Sequence, residues 1–256
     1  MTSFDAARFQ ALLPTVELGR FLVYRRVTET TMVLARREAE EGSPHGTVML
    51  AEEQTAGRGR RGRSFYSPAG RNLYFTMVLR LPLEVHRLLP VSVPLAVCAA
   101  ARAEGVDARI KWPNDVWVGE RKLSGMLIDA EITPQGALAL PGIGINVNGD
   151  PTVLPELRDS ATSLGRELGR DVDREELLAR ICGELERVLA CAPGAVIEEY
   201  REMSMILGRR VLVHPASGEP WAGEAAEIAE DGGLVVVRET GGVETVAAAD
   251  VSVRPG

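Results

Sequence analysis

The chain has 256 residues, 45% hydrophobic and 25% charged, a globular balance that excludes disorder and fibrous folds. Its formal charge is -7, from 29 basic and 36 acidic residues, which excludes a surface that grips nucleic acid or anionic membrane over its whole area; any basic site must be local. The longest strongly apolar, charge-free stretch, Leu88 to Ala101, is 14 residues long and contains Pro90 and Pro94, too short for a membrane span.

The first residues, MTSFDAARFQALLPTV, lack the basic start and continuous apolar run of a secretory signal, so a cytoplasmic location is expected. Residues 30 to 41 carry a threonine cap, a short apolar stripe and charged residues, which predicts a helix ending at Gly42. Strands are expected at 46–54 and 72–80, separated by a loop rich in Gly and Arg. A buried helix should occupy 91–104, with Pro94 near its start, followed by strands at 108–112, 122–131 and 136–147. Asp173 and Glu176 form a capping-box-like start to a helix with apolar residues at 177, 178, 181, 185, 188 and 189, and a second helix covers about 194–206. From 205 to 256 the chain holds eight of the 26 glycines and short apolar runs between turn signals, which reads as a small all-β module. The predicted class is α+β: helices packed on a mixed or antiparallel sheet, then a compact barrel.

Three cysteines (Cys98, Cys182, Cys191) without CxxC spacing and three scattered histidines make a disulfide framework and a protein-built metal site unexpected. A scarcity is more informative. Only two of the basic residues are lysine, Lys111 and Lys122, and there are only four asparagines, Asn72, Asn114, Asn146 and Asn148. Both residue types have AA-initial codons, so their rarity beside abundant Ala, Gly and Arg suggests GC-rich coding DNA. Lysine persists under that bias best where a compact ammonium on a flexible stem is needed. The six exceptions are therefore candidate functional positions.

The loop Gln54-Thr55-Ala56-Gly57-Arg58-Gly59-Arg60-Arg61-Gly62-Arg63 places four arginines in six positions of an acidic chain. Its glycines allow close backbone approach, and N–H groups with guanidinium forks suit phosphate or carboxylate oxygens. The formal GxGxxG match does not read as a dinucleotide turn, because such a turn enters a helix and here Pro68 soon follows. A solvated basic turn or a nucleic-acid patch is the plainer alternative. Lys111-Trp112-Pro113-Asn114-Asp115 sets a cation, an amide and a carboxylate around a proline-stiffened turn, with Trp112 expected to be extended before Pro113. Lys122 opens the next strand, where Ser124 and Gly125 leave room for a ligand; a surface hairpin with an Asp115–Lys122 ion pair fits the spacing equally well. Asn146 ends an apolar strand and is either a site residue or a turn residue.

The segments GRGRRGR (57–63), KWPND (111–115), RKLSG (121–125) and GIGINVN (142–148), in this order, resemble the motifs of biotin protein ligases. The resemblance covers about residues 20–150, and the C-terminal module resembles that family's SH3-like domain. It implies a class II aminoacyl-tRNA-synthetase-like catalytic domain over residues 1–204 and an SH3-like β domain over 205–256. It also implies a two-step reaction: biotin and ATP, with Mg2+, give biotinyl-5′-AMP and pyrophosphate, then a lysine of a biotin carboxyl carrier protein of acetyl-CoA or acyl-CoA carboxylase takes the biotin. Arg58, Lys111, Asp115 and Lys122 become catalytic candidates. Thr30, Thr31, Met32, Gln54, Gly57, Arg58, Gly59, Arg60, Lys122 and Gly125 become the biotin site; Arg60, Arg61, Arg63, Phe65, Lys111, Asn114, Lys122 and Asn146 become the nucleotide site. Asp115 is the candidate to orient or deprotonate the incoming amine.

Three departures from the family pattern stand out. Thr30-Thr31-Met32 replaces a Ser-Thr-Asn run, which removes an amide near biotin, and Phe65 replaces a common Trp, which removes an indole N–H. About 29 residues precede Thr30, so no DNA-binding winged helix and no nucleic-acid or membrane partner are expected. The family implies that a homodimer through a sheet edge is open to this chain. The arginine loop should order and close on binding an anion. The rival enzyme is a lipoate or octanoate ligase; the rival of another class is a nucleic-acid module, disfavoured by the -4 charge of residues 205–256 (four Arg, eight Asp and Glu).

Overall fold

The computed structural model describes residues 3–59, 65–134, 136–215, 218–247 and 251–255, the last stretch in backbone alone. A seven-stranded sheet forms the larger part. It is built from β1 (Leu22–Thr28), β2 (Thr47–Gln54), β3 (Leu73–Leu81), β4 (Ala108–Lys111), β5 (Asp115–Val118), β6 (Arg121–Thr133) and β7 (Gly136–Ile145) in the order β1-β2-β3-β7-β6-β5-β4. β1 and β2 run parallel and every other pair is antiparallel, so the sheet is mixed, as expected.

The two faces of the sheet are covered differently. On one face pack α1 (Ala6–Leu12), α4 (Leu89–Ala103), α6 (Arg174–Leu189) and α7 (Pro193–Met203), whose apolar stripes join the sheet in one core that includes Phe9, Leu95, Ile110, Leu185 and Tyr200. α4 continues through Pro94, which sits one turn inside it, where only a bond to the carbonyl of Pro90 is forgone. Asp173 caps α6 by accepting from the Glu176 N–H at 3.0 Å, as the spacing predicted. The other face holds α2 (Thr31–Glu40), which buries Ala35 and Ala39 against Met49, Val78 and Leu140 and leaves the rest of the face open.

The chain then forms β8 (Arg210–Pro215), β9 (Trp221–Ile228), β10 (Leu234–Arg238), β11 (Val243–Val246) and β12 (Val251–Pro255), a wholly antiparallel sheet in the order β11-β10-β9-β8-β12. This is the small SH3-like β module expected after the larger sheet. It is not a separate bead: Val211, Val213, Ala225 and Ile228 share the core of the larger sheet. The Trp112 indole N–H also donates to the Gly232 carbonyl at 3.0 Å.

Several elements went unread in the sequence. α1, β1 and β5 were not anticipated, and neither was the short helix α5 (Leu164–Leu168) or α3 (Leu83–His86). β1 is an edge strand whose Arg25, Arg26 and Val27 are exposed, so it lacks the alternation of a half-buried strand. The Trp112–Pro113 peptide is cis, which the expectation of an extended Trp112 did not foresee.

Candidate functional site

A cavity of about 1260 Å3 opens on the face beside α2. Its floor is made by β6 and β7, where Gly125 pairs with Gly144 and Leu127 with Gly142. A side chain at any of these glycines would fill the space. A Cβ on Gly142 would lie 2.8 Å from Met32 Cγ, on Gly144 2.6 Å from the Phe65 ring, and on Gly125 2.7 Å from Lys122 Nζ.

One end of the cavity is neutral and tightly bonded. Thr30 caps α2, its hydroxyl accepting from the Val33 N–H at 3.1 Å. Thr31, the next residue, donates both its N–H (2.8 Å) and its hydroxyl (3.2 Å) to Gln54 Oε1 at the end of β2. Thr76 on β3 donates to the Thr31 hydroxyl at 2.8 Å, Gln54 Nε2 donates to Ser67 Oγ at 3.3 Å, and Ser67 donates to the Phe65 carbonyl at 3.0 Å. The Thr31 hydroxyl thus both donates and accepts within the scaffold and offers a ligand its remaining lone pair, whereas the Thr30 hydroxyl is engaged there only as an acceptor. Met32 lies over Gly142 and completes this wall with an apolar thioether.

The other end is charged. Lys122 Nζ lies 2.7 Å from Asp115 Oδ1, with the two side chains 34% and 22% exposed. A partly exposed pair of this kind contributes only about 0–1 kcal/mol, so an anionic ligand can take the ammonium from the carboxylate at small cost. The ion pair expected of a hairpin is present, and both of its residues line the cavity. Lys122 is held by its backbone, whose N–H donates to the Ser160 carbonyl and whose carbonyl accepts from Thr162 N–H, both at 2.9 Å. Lys111 enters from β4, its ammonium 3.9 Å from the centroid of the Trp117 ring. Asn114 is pinned to β6: its side-chain amide donates to the Met126 carbonyl at 2.7 Å and its backbone carbonyl accepts from the Met126 N–H at 3.0 Å. Asn146 donates its side-chain amide to the Thr162 carbonyl at 3.0 Å.

The cavity gathers Thr30, Thr31, Met32, Gln54, Arg58, Gly59, Phe65, Lys111, Asn114, Asp115, Lys122, Gly125 and Asn146 from four strands, one helix and its cap, the arginine loop, the β4–β5 turn and the end of β7. Gly57 does not line it; the space beside it is filled by the Phe65 carbonyl and Ser67 Oγ, and it serves to close the base of the loop. Arg60, Arg61 and Arg63, with the ordering expected of that loop, lie outside the described residues. Two of the six rare residues belong elsewhere. Asn72 accepts from the Val147 and Gly149 N–H groups, and Asn148 exchanges bonds with both backbone groups of Val172, so both are brackets between backbone segments.

Sequence reading missed Thr76, Ser67 and a wall formed by Pro151, Leu154, Leu157 and Ala161. Thr76 had a signal, a small hydroxyl residue among the large side chains of β3; the wall had none, since it is short helical turns and irregular chain folded back onto Lys122. Among the described residues no cluster of three or more His, Cys, Asp or Glu could hold a metal, and no helix is long and apolar enough to cross a membrane.

A mixed sheet with helices on one face, a cavity with one neutral and one cationic end on the other, and a following SH3-like module define the biotin-ligase type of class II aminoacyl-tRNA-synthetase-like fold. The profile of the Biotin/lipoate A/B protein ligase family matches residues 23–148. The chain is 31% identical over 240 residues to the biotin--[acetyl-CoA-carboxylase] ligase of Mycobacterium tuberculosis, covering 90% of this chain and 87% of that protein. It is 34% identical over 184 residues to the bifunctional ligase/repressor BirA of Bacillus subtilis, covering 70% of this chain and 54% of that protein. The chain thus spans about half the length of that curated relative. The structure of the Aquifex aeolicus biotin protein ligase in complex with biotin and ATP superposes with a TM-score of 0.75 at 28% identity, covering 93% of this chain and 100% of that one. The chain belongs to the biotin protein ligase family.

Proposed function

We propose that this protein joins biotin to ATP, giving biotinyl-5′-AMP and pyrophosphate, and then transfers the biotinyl group to a lysine of a carboxylase's biotin carboxyl carrier domain. The observation that carries the reading is the join, in one cavity, of a neutral hydrogen-bonded end to an end holding both lysines of the chain. An uncharged ring fits the first; carboxylate and phosphate oxygens fit the second.

In the first step a biotin carboxylate oxygen bonds to the α-phosphorus while the bond to pyrophosphate breaks. Two anions must be brought together, so placement and fixed cations supply most of the catalysis. In this reading Thr30, Thr31, Met32, Gln54, Gly59 and Gly125 hold the ring and chain of biotin. Lys122, at the junction of the two ends, leaves Asp115 for the reacting oxygens. Lys111 and Arg58 contact phosphate oxygens, Asn114 and Asn146 contact the nucleotide, and Phe65 covers it. By the same reading Arg60 contacts both biotin and the nucleotide, and Arg61 and Arg63 contact the nucleotide. Magnesium would neutralise phosphate charge; the lack of a carboxylate cluster among the described residues fits a metal that arrives on the nucleotide, with the Asn146 oxygen as a neutral ligand to it.

In the second step the carrier amine bonds to the acyl carbon, the bond to AMP breaks, and Asp115, released from Lys122, takes the amine's proton. Residues 1–204 form the catalytic unit and 205–256 an accessory module; the setting is cytoplasmic, with no nucleic-acid or membrane partner. A homodimer would use β1, the outer strand whose edge is not already bonded to the chain's own backbone as that of β4 is by Met205, and sedimentation measures it.

The test is mass spectrometry of the acyl-adenylate after incubation with MgATP and biotin, lipoate or octanoate in separate reactions. An adduct with biotin alone supports the reading. An adduct with lipoate or octanoate instead overturns the choice of acid.

A further inference from the structure

Trp117, unremarked in the sequence, stands between the only two lysines of the chain. On β4–β5, Lys111 pairs with Asp115 and Arg109 with Trp117, so Lys111 and Trp117 are diagonal neighbours on one face of the hairpin. Across β5–β6 the residue directly opposite Trp117 is Lys122. The Lys111 ammonium sits 3.9 Å from the centroid of the Trp117 ring, well within cation–π range.

Two details show which part of the indole matters. Its Nε1 atom is buried and has no hydrogen-bond partner among the described residues, so the ring is not kept in place by its N–H. Trp117 also does not line the cavity, whereas Lys111 does. The indole therefore acts from behind, through its face. An aromatic face attracts an ammonium without cancelling its charge, and it narrows the many rotamers of a four-carbon stem to those that reach over the ring.

We propose that Trp117 is a positioning residue for nucleotide activation, holding the Lys111 ammonium by its indole face so that the charge is presented to the phosphates. The proposal rests on the reading of Lys111 given above. It makes the two lysines unlike: Lys122 is held by a carboxylate it must leave, and Lys111 is carried on a ring it can keep while it binds.

Because the chain has two lysines, the geometry is testable without any turnover. With lysine labelled at Cε, NMR should give two ε-methylene signals, one shifted upfield by the ring current of Trp117, and the shift should vanish in Trp117→Leu. Two signals at ordinary positions, or a shift that survives Trp117→Leu, would overturn the proposal. The functional arm is pyrophosphate release at saturating biotin with MgATP varied. Trp117→Leu should lower kcat/KM for ATP about five- to tenfold and Trp117→Phe about two- to threefold, with the biotin Kd within about twofold. In a Lys111→Met background, Trp117→Leu should add less than about 1.5-fold. An equal effect in both backgrounds would mean Trp117 only supports the fold and would sink the proposal. Lys111→Met with wild-type ATP kinetics would instead overturn the reading of Lys111, even if the NMR geometry held.

Discussion

The two ends of the cavity are built on opposite principles. At the Thr31–Gln54 end a chain of neutral hydrogen bonds runs from Thr76 through Thr31, Gln54 and Ser67 to the Phe65 carbonyl, with Thr31, Ser67 and Thr76 buried. At the Lys122 end the groups are charged, partly exposed and held by backbone bonds and a ring face, so their tips stay movable. The first arrangement suits recognition, because a fixed polar surface rejects what does not match it. The second suits chemistry, because charge must change partners between the two steps. If that division is right, substitutions at the two ends should fail differently.

The largest expected effect lies outside both ends and serves as the contrast. Glu52 and Arg174 are each 7% exposed and bonded at 2.7 Å, with Tyr24 OH and the Phe4 N–H also donating to Glu52. Arg174→Met should cost about 3–5 kcal/mol of stability by leaving a buried carboxylate without its cation, seen as a fall in Tm. Burial pushes the Glu52 carboxyl up, but the Arg174, Phe4 and Tyr24 hydrogen bonds outweigh it and hold the group below the usual carboxylate range. A carboxyl depressed on folding stabilises the protein above its unfolded pKa and loses that contribution as pH falls through the folded value. The wild-type Tm should therefore drop below about pH 4.3 more steeply than that of Glu52→Gln, followed by circular dichroism.

At the charged end, Lys122→Ala should slow pyrophosphate release about a hundredfold, the worth of one charge-assisted hydrogen bond at its upper range. Asp115→Asn should slow transfer from preformed biotinyl-5′-AMP by about the same factor while adenylation stays within about fivefold. Wild-type transfer in that variant would remove Asp115 from the second step. At the neutral end, Thr31→Val cuts the chain between Thr76 and Gln54, and the biotin Kd should rise about tenfold by calorimetry, with kcat within about twofold.

How far the sequence could be read follows the same division. Lys111, Asn114, Asp115 and Lys122 could be singled out because a rare lysine and asparagine flank a proline-centred turn and the other lysine opens the next strand, and Gly125 because a strand has little other use for a glycine; Gly142 and Gly144, which share the cavity floor, were read only as part of a motif. Asn72 and Asn148 carried the same rarity signal and do scaffold work, since a buried amide that bridges backbone donors and acceptors is as hard to replace as one that touches a ligand. The order β1-β2-β3-β7-β6-β5-β4 was not legible, because long-range pairing leaves no local periodicity. Nor was the contact of Trp112 with Gly232, which ties the turn between Lys111 and Asp115 to the C-terminal module across 120 residues.

The most direct test of the division measures biotin affinity and pyrophosphate release side by side in Thr31→Val and Lys122→Ala. The account predicts that Thr31→Val loses affinity and keeps its rate at saturating biotin, whereas Lys122→Ala loses about a hundredfold in rate with affinity reduced less than about fivefold. Equal losses of the same parameter in both variants would contradict it.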